Sequence, residues 1–99
     1  MTRVLWTPQA RTDLRNIREY VARDSQQYAP LVVAELLASV RRLQAFPKSG
    51  RVVPERNDPS IREVLWRNYR VVYRLLASEE AVHVLTVFRG ERLFPTGVA

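Results

Sequence analysis

The feature that most constrains this chain is a change of hydrophobic period near its middle. From residue 8 to about residue 45 the apolar residues recur every three or four positions. From residue 61 to 89 they alternate or run together in β-branched blocks. The first pattern places side chains on one stripe of a helix, and the second places them on the faces of strands. A chain that changes period once predicts a helical half packed on a sheet half, an α+β domain.

Within the first half, Arg3-Val4-Leu5-Trp6 reads as a short opening strand. Thr7-Pro8 then supplies an N-cap and a proline at the first helical position. Ala10, Leu14, Ile17 and Val21 make the apolar stripe of a helix over residues 8–22, with Arg11, Arg15 and Arg18 on another face. Asp24-Ser25 interrupts the pattern. Val33, Leu36, Leu37, Val40 and Leu43 define a second helix over residues 26–45, in which Pro30 demands a later start or a bend. The run Phe46-Pro47-Lys48-Ser49-Gly50 ends it. The short link makes the two helices an antiparallel hairpin.

The second half contains a short edge strand at residues 51–54, followed by strands at 61–66, 69–76 and 81–89. Links of two and four residues join the last three into an antiparallel meander. The predicted order is β-α-α-β-β-β, with the helical hairpin on one face of the sheet and the other face open to solvent. Residues 1–94 form one domain and 95–99 a C-terminal tail.

A chain of 99 residues can bury one core, roughly 60–70% of its unfolded surface, with little room for a deep pocket. Cysteine is absent, and His83 is the only histidine. Thiolate metal sites and two-histidine acid–base pairs are therefore excluded within one chain, and no metal or cofactor is expected. No apolar run approaches the roughly 20 residues of a membrane span, and the N-terminus does not resemble a secretory signal. A cytoplasmic protein is expected. The net charge is +6, and 15 of the 16 basic residues are arginine, since Lys48 is the one lysine. Arginine carries a planar fork suited to carboxylate and phosphate, so an acidic partner is expected, either nucleic acid or an acidic protein segment.

Candidate contacts follow from the alternation. Tyr69, Val71, Tyr73 and Leu75 share one face of their strand. Arg70, Val72 and Arg74 share the other, where Arg62 and Arg89 join them if the registers allow. The result would be a basic patch for anions. The plainer reading is a solvated face with Arg–Glu pairs using Glu63 or Glu91. Arg11, Arg15 and Arg18, and the run Arg41, Arg42, Lys48 and Arg51, read as solvated faces that would attract an acidic partner. His83 reads as a structural or solvent-facing residue.

Five segments in order then resemble the RelE/ParE superfamily of toxins from bacterial type II toxin–antitoxin pairs, on the ParE side of it. They are Trp6-Thr7-Pro8-Gln9-Ala10, Phe46-Pro47-Lys48-Ser49-Gly50-Arg51, Ile61-Arg62-Glu63-Val64, Tyr69-Arg70-Val71-Val72-Tyr73-Arg74 and Val87-Phe88-Arg89-Gly90-Glu91-Arg92. The resemblance implies a growth-arresting toxin neutralised by a cognate ParD/RelB-like antitoxin that folds on binding, in a hetero-oligomer. It assigns Arg11, Arg15, Arg18, Arg41 and Arg42 to the antitoxin. It assigns Arg62, Arg70, Arg74, Arg89, Arg92, Trp66 and Phe94 to the target. ParE-like members inhibit DNA gyrase, whereas RelE-like members cleave messenger RNA on the ribosome. The last strand here ends Phe88-Arg89-Gly90-Glu91-Arg92, without the histidine or tyrosine a ribonuclease would use, which favours the gyrase inhibitor. A ribonuclease would have to draw on Arg70, Arg89 and Glu55. A third alternative is a degenerate member that binds antitoxin without toxicity.

Overall fold

The computed structural model describes residues 1–91 and 94–97. Its elements are β1 (Arg3–Trp6), α1 (Pro8–Asp24), α2 (Ala29–Arg41), β2 (Arg51–Val52), β3 (Ile61–Trp66), β4 (Tyr69–Leu76) and β5 (Ala81–Arg89). Short 3-10 turns occupy Arg42–Gln44 and Ala77–Glu79. The sheet order is β1-β5-β4-β3-β2. β3 to β5 form the expected antiparallel meander, β2 pairs antiparallel with β3 as the expected edge strand, and β1 lies parallel to β5 at the far edge.

Local chemistry explains where α1 begins. Thr7 Oγ1 accepts from the Ala10 N–H at 3.2 Å and donates to the Val84 carbonyl at 2.9 Å. One side chain therefore caps the helix and pins its start to β5. α2 is shorter than its apolar stripe suggested. Pro30 stands in its first turn, where a missing N–H costs nothing, so the helix starts at Ala29 rather than at 26. Ser25 Oγ accepts from the Tyr28 N–H just upstream. The last turn tightens into the 3-10 geometry of Arg42–Gln44 instead of continuing to 45.

The main core lies between the hairpin and the sheet. Ala10, Ile17, Val32, Leu36, Val40 and Leu43 meet Tyr69, Val71, Tyr73, Val82, Val84 and Val87. The Tyr73 hydroxyl is satisfied inside this layer, donating to the Pro47 carbonyl at 2.7 Å and accepting from the Gly50 N–H at 3.0 Å. The close approach explains the glycine. A Cβ on Gly50 would lie 2.6 Å from both the Glu63 carbonyl and the Tyr73 hydroxyl.

The opposite face of the sheet is not open, which corrects the sequence expectation. Val53, Ile61, Val72 and Phe88 form a second, smaller core, with Leu85 and Phe94 packed against it. Val53, just after β2, and Phe94 close over it. A register irregularity between Val72 and Tyr73 shapes both faces. Val72 pairs with Thr86 and Tyr73 with Val84, so Leu85 is an extra residue on β5. A bulge of this kind reverses the side-chain alternation beyond it. Val82 and Val84 before it share the helix-side core with Val87 after it, while Phe88 joins the second core. Asp13 of α1 binds the bulge, accepting from the Thr86 hydroxyl and from the Val87 N–H at 3.0 Å.

Candidate partner-binding groove and arginine surfaces

An open groove of about 520 Å³ runs between β1 and the helical hairpin. Val4, Leu5, Trp6, Leu14, Val33 and Leu37 give it apolar walls, and Arg11, Arg15 and Arg18 of α1 line it as well. These arginines are exposed, and none of them forms an ion pair among the described residues. Like charges four apart on a helix cost stability by a few tenths of a kcal/mol. Arg41 continues the Val33–Leu37 stripe by one more turn of α2. Arg42 starts the 3-10 turn and is exposed, outside the groove lining. The groove thus combines an apolar floor with uncompensated positive charge, which fits an amphipathic acidic segment.

Arg70 is the opposite kind of arginine. It is 8% exposed and sits over Phe88, with its guanidinium carbon 5.2 Å from the ring centre and 5.7 Å from that of Phe94. Its Nε donates to Glu63 at 2.6 Å, and Nη1 and Nη2 donate to the two carboxylate oxygens of Glu55, both at 2.8 Å. Glu63 has a fully buried side chain and also accepts from Arg51 Nε at 2.6 Å. The hydrogen bonds from Arg70 hold the Glu55 carboxyl down at about 2. The bonds to Glu55, and then to Glu63, push Arg70 above its ordinary value.

The other expected target residues do not gather around Arg70. Arg62 pairs with Tyr73 and so lies on the helix side of the sheet, donating to the carbonyls of Gly50 and Pro59 at 3.0 Å. Arg89 pairs with Tyr69, also on the helix side, because the bulge has reversed its face. There Arg89 donates to the Tyr20 hydroxyl at 3.1 Å, lies over the Tyr20 ring and pairs with Glu91 at 2.7 Å. Arg74, opposite Ile61 and His83, shares Arg70's face. The single basic patch expected from the sequence is therefore split across both faces. The ribonuclease trio divides in the same way, with Arg70 and Glu55 on one side and Arg89 on the other. Trp66 stacks on Tyr69 at 6.1 Å with Arg67 over its ring. Phe94 packs edge-on against Phe88 at 5.7 Å. Arg92 lies outside the described residues.

Sequence reasoning gave Glu63 only a surface pairing role and missed Tyr20 altogether. Glu63 could have been found from its alternation with Ile61, which puts a carboxylate in a buried slot and calls for a cationic partner. Tyr20 carried no such signal, because its contact with Arg89 depends on the bulge.

The comparisons with known proteins agree with this architecture. Residues 4–94 match the family model described as ParE toxin of type II toxin-antitoxin system, parDE. Among solved structures, the chain is similar to one from the chromosomal ParDE toxin–antitoxin system of P. aeruginosa. The TM-score is 0.75 at 26% identity, covering 92% of this chain and 98% of that one. The RelBE2 toxin–antitoxin complex from Mycobacterium tuberculosis gives 0.67 at 21% identity, over 89% and 90% of the two chains. The isolated E. coli RelE toxin gives 0.68 at 18% identity, over 94% and 88%. The last two likenesses are of fold alone. No curated protein matches the chain.

Proposed function

The chain belongs to the ParE toxin family of type II toxin–antitoxin systems, and on that premise we propose that it arrests growth by inhibiting DNA gyrase and is held inactive by a cognate antitoxin. The observation that carries the choice of gyrase is the closed Arg70–Glu55 pair. A ribonuclease must remove a proton from a 2′-hydroxyl and return one to the leaving oxygen, which needs groups poised near neutral pH. Glu55, held at about 2, is a weak base, and both terminal nitrogens of Arg70 are already engaged by it. Arg89 stands on the other face. Such an arrangement suits a protein that works by docking.

Antitoxin binding is assigned to the groove. An acidic amphipathic segment would lay apolar side chains against Leu14, Val33 and Leu37 and set carboxylates beside Arg11, Arg15, Arg18 and Arg41. Arg74, Arg89 and Trp66 are the proposed target contacts.

Purified protein added to gyrase tests the proposal. Loss of supercoiling with accumulation of cleaved DNA is expected, weakened in Arg74→Glu and Arg89→Glu. Unimpaired gyrase together with discrete cuts within codons of cellular transcripts would replace this reading with a ribosome-dependent ribonuclease. Harmless overexpression without antitoxin would leave only antitoxin binding.

A further inference from the structure

We propose that the Arg70 guanidinium is a carboxylate seat which the protein fills with its own Glu55, and that an acidic side chain of a protein partner takes the seat by displacing Glu55. The inference stands whether or not gyrase is the target.

The two carboxylates on Arg70 differ in kind. Glu63 is on a strand, has no side-chain exposure and is held from both sides by Arg70 and Arg51 at 2.6 Å. It cannot leave without uncovering two cations. Glu55 sits on the loop between β2 and β3, and its side chain is 40% exposed. Its loop neighbours, Pro54 and residues 56–59, are exposed as well. Asn57 in that loop holds a left-handed backbone at φ 50°. Asparagine tolerates that conformation, so the turn is an ordinary surface turn. Glu55 thus holds both terminal nitrogens of Arg70 from an exposed loop.

If Glu55 swings away, what remains is a prepared site. Glu63 fixes Arg70 through Nε, and the rings of Phe88 and Phe94 fix the plane of the guanidinium. Nη1 and Nη2 then point outward as the fork that now grips Glu55 with two bonds of 2.8 Å. Such a fork matches a carboxylate and loses little rotational freedom on binding. The charge count agrees. Arg51 and Arg70 against Glu63 leave one positive charge, which one carboxylate neutralises, as Glu55 does now. Exchange of one carboxylate for another keeps that balance. Because the seat is occupied, a partner's apparent affinity is lowered by the small fraction of molecules with Glu55 displaced. Glu55 therefore sets a threshold that a lone acidic residue fails and a partner docked through further contacts passes.

The test uses the full chain and its Glu55→Ala and Glu55→Gln variants, titrated with acetate against chloride at constant ionic strength and neutral pH. In Glu55→Ala, acetate is expected to raise the Tm along a single-site saturation curve and to shift the Arg70 Nε–H resonance. The parent protein should respond to neither salt. Glu55→Gln keeps the side-chain length, and the same gain, weaker, is expected there. That variant decides the matter if Glu55→Ala does not fold in either salt. Two results overturn the proposal. One is equal behaviour in acetate and chloride for every folded variant. The other is stronger binding of dimethyl phosphate than of acetate, which would assign the seat to a phosphodiester.

Discussion

The two faces of the sheet are held by different forces. The helix side is closed by apolar packing of Leu36, Val40 and Leu43 on Val71, Tyr73 and Val84. The far side has only a small apolar core and depends on Arg51, Glu63, Arg70 and Glu55 joined in one ion network. Apolar packing is non-directional and tolerates adjustment. A buried ion network is favourable only while each member has its partner. The same division runs through the arginines. Those lining the groove are exposed and form no ion pair among the described residues, while Arg70 is already neutralised. Position relative to the carboxylates, more than the number of arginines, decides which ones can bind.

The contrast can be broken most severely at Glu63. Glu63→Ala leaves Arg70 and Arg51 without their shared carboxylate, and a loss of about 3–5 kcal/mol is expected in urea unfolding. Against a total of about 5–15 kcal/mol for a domain, this endangers the fold. On the helix side, Leu36→Ala should cost about 2–5 kcal/mol, depending on how far the cavity collapses. A smaller effect is expected from Tyr73→Phe, which orphans the Gly50 N–H at about 1–3 kcal/mol.

Acid separates the faces more finely. The Glu55 carboxyl lies at about 2 in the folded protein against an ordinary 4.5, so on acidification the unfolded chain takes up the proton first. The stability it contributes is whole above 4.5 and is lost as the pH falls from there through about 2. Glu55→Gln should lack this slope, and its gap from the parent protein should narrow across that window. The effect is modest, because the side chain is partly exposed and screened by solvent. Smallest of all, Arg67→Ala removes an exposed pair with Glu35 at 3.4 Å and should cost well under ~1 kcal/mol.

The helix side was the legible one. Its strand limits and the burial of Tyr69, Val71 and Tyr73 follow from alternation within a few residues, and Thr7-Pro8 marks the helix start by local chemistry. The Arg11–Arg15–Arg18 stripe was legible for the same reason, since helical spacing alone puts it on one face. The far side was not. Glu55 reaches Arg70 across 15 positions of chain, through a loop with no period of its own. The side on which Arg89 stands depends on one extra residue, Leu85, and a single-residue shift reverses everything beyond it. Strict alternation would have placed Arg89 beside Arg70.

The central claim is that the neutralising partner docks chiefly in the groove between β1 and the helical hairpin. Its most direct test is titration of the acidic C-terminal segment of the cognate antitoxin onto the isotope-labelled protein, followed by NMR. The account expects the shifted backbone resonances to centre on Val4, Leu14, Val33 and Leu37. It also expects the affinity to fall about tenfold or more in Arg15→Glu, about 1.4 kcal/mol or more. Shifts confined to β3 and β4, with Arg15→Glu binding as tightly as the parent protein, would contradict it.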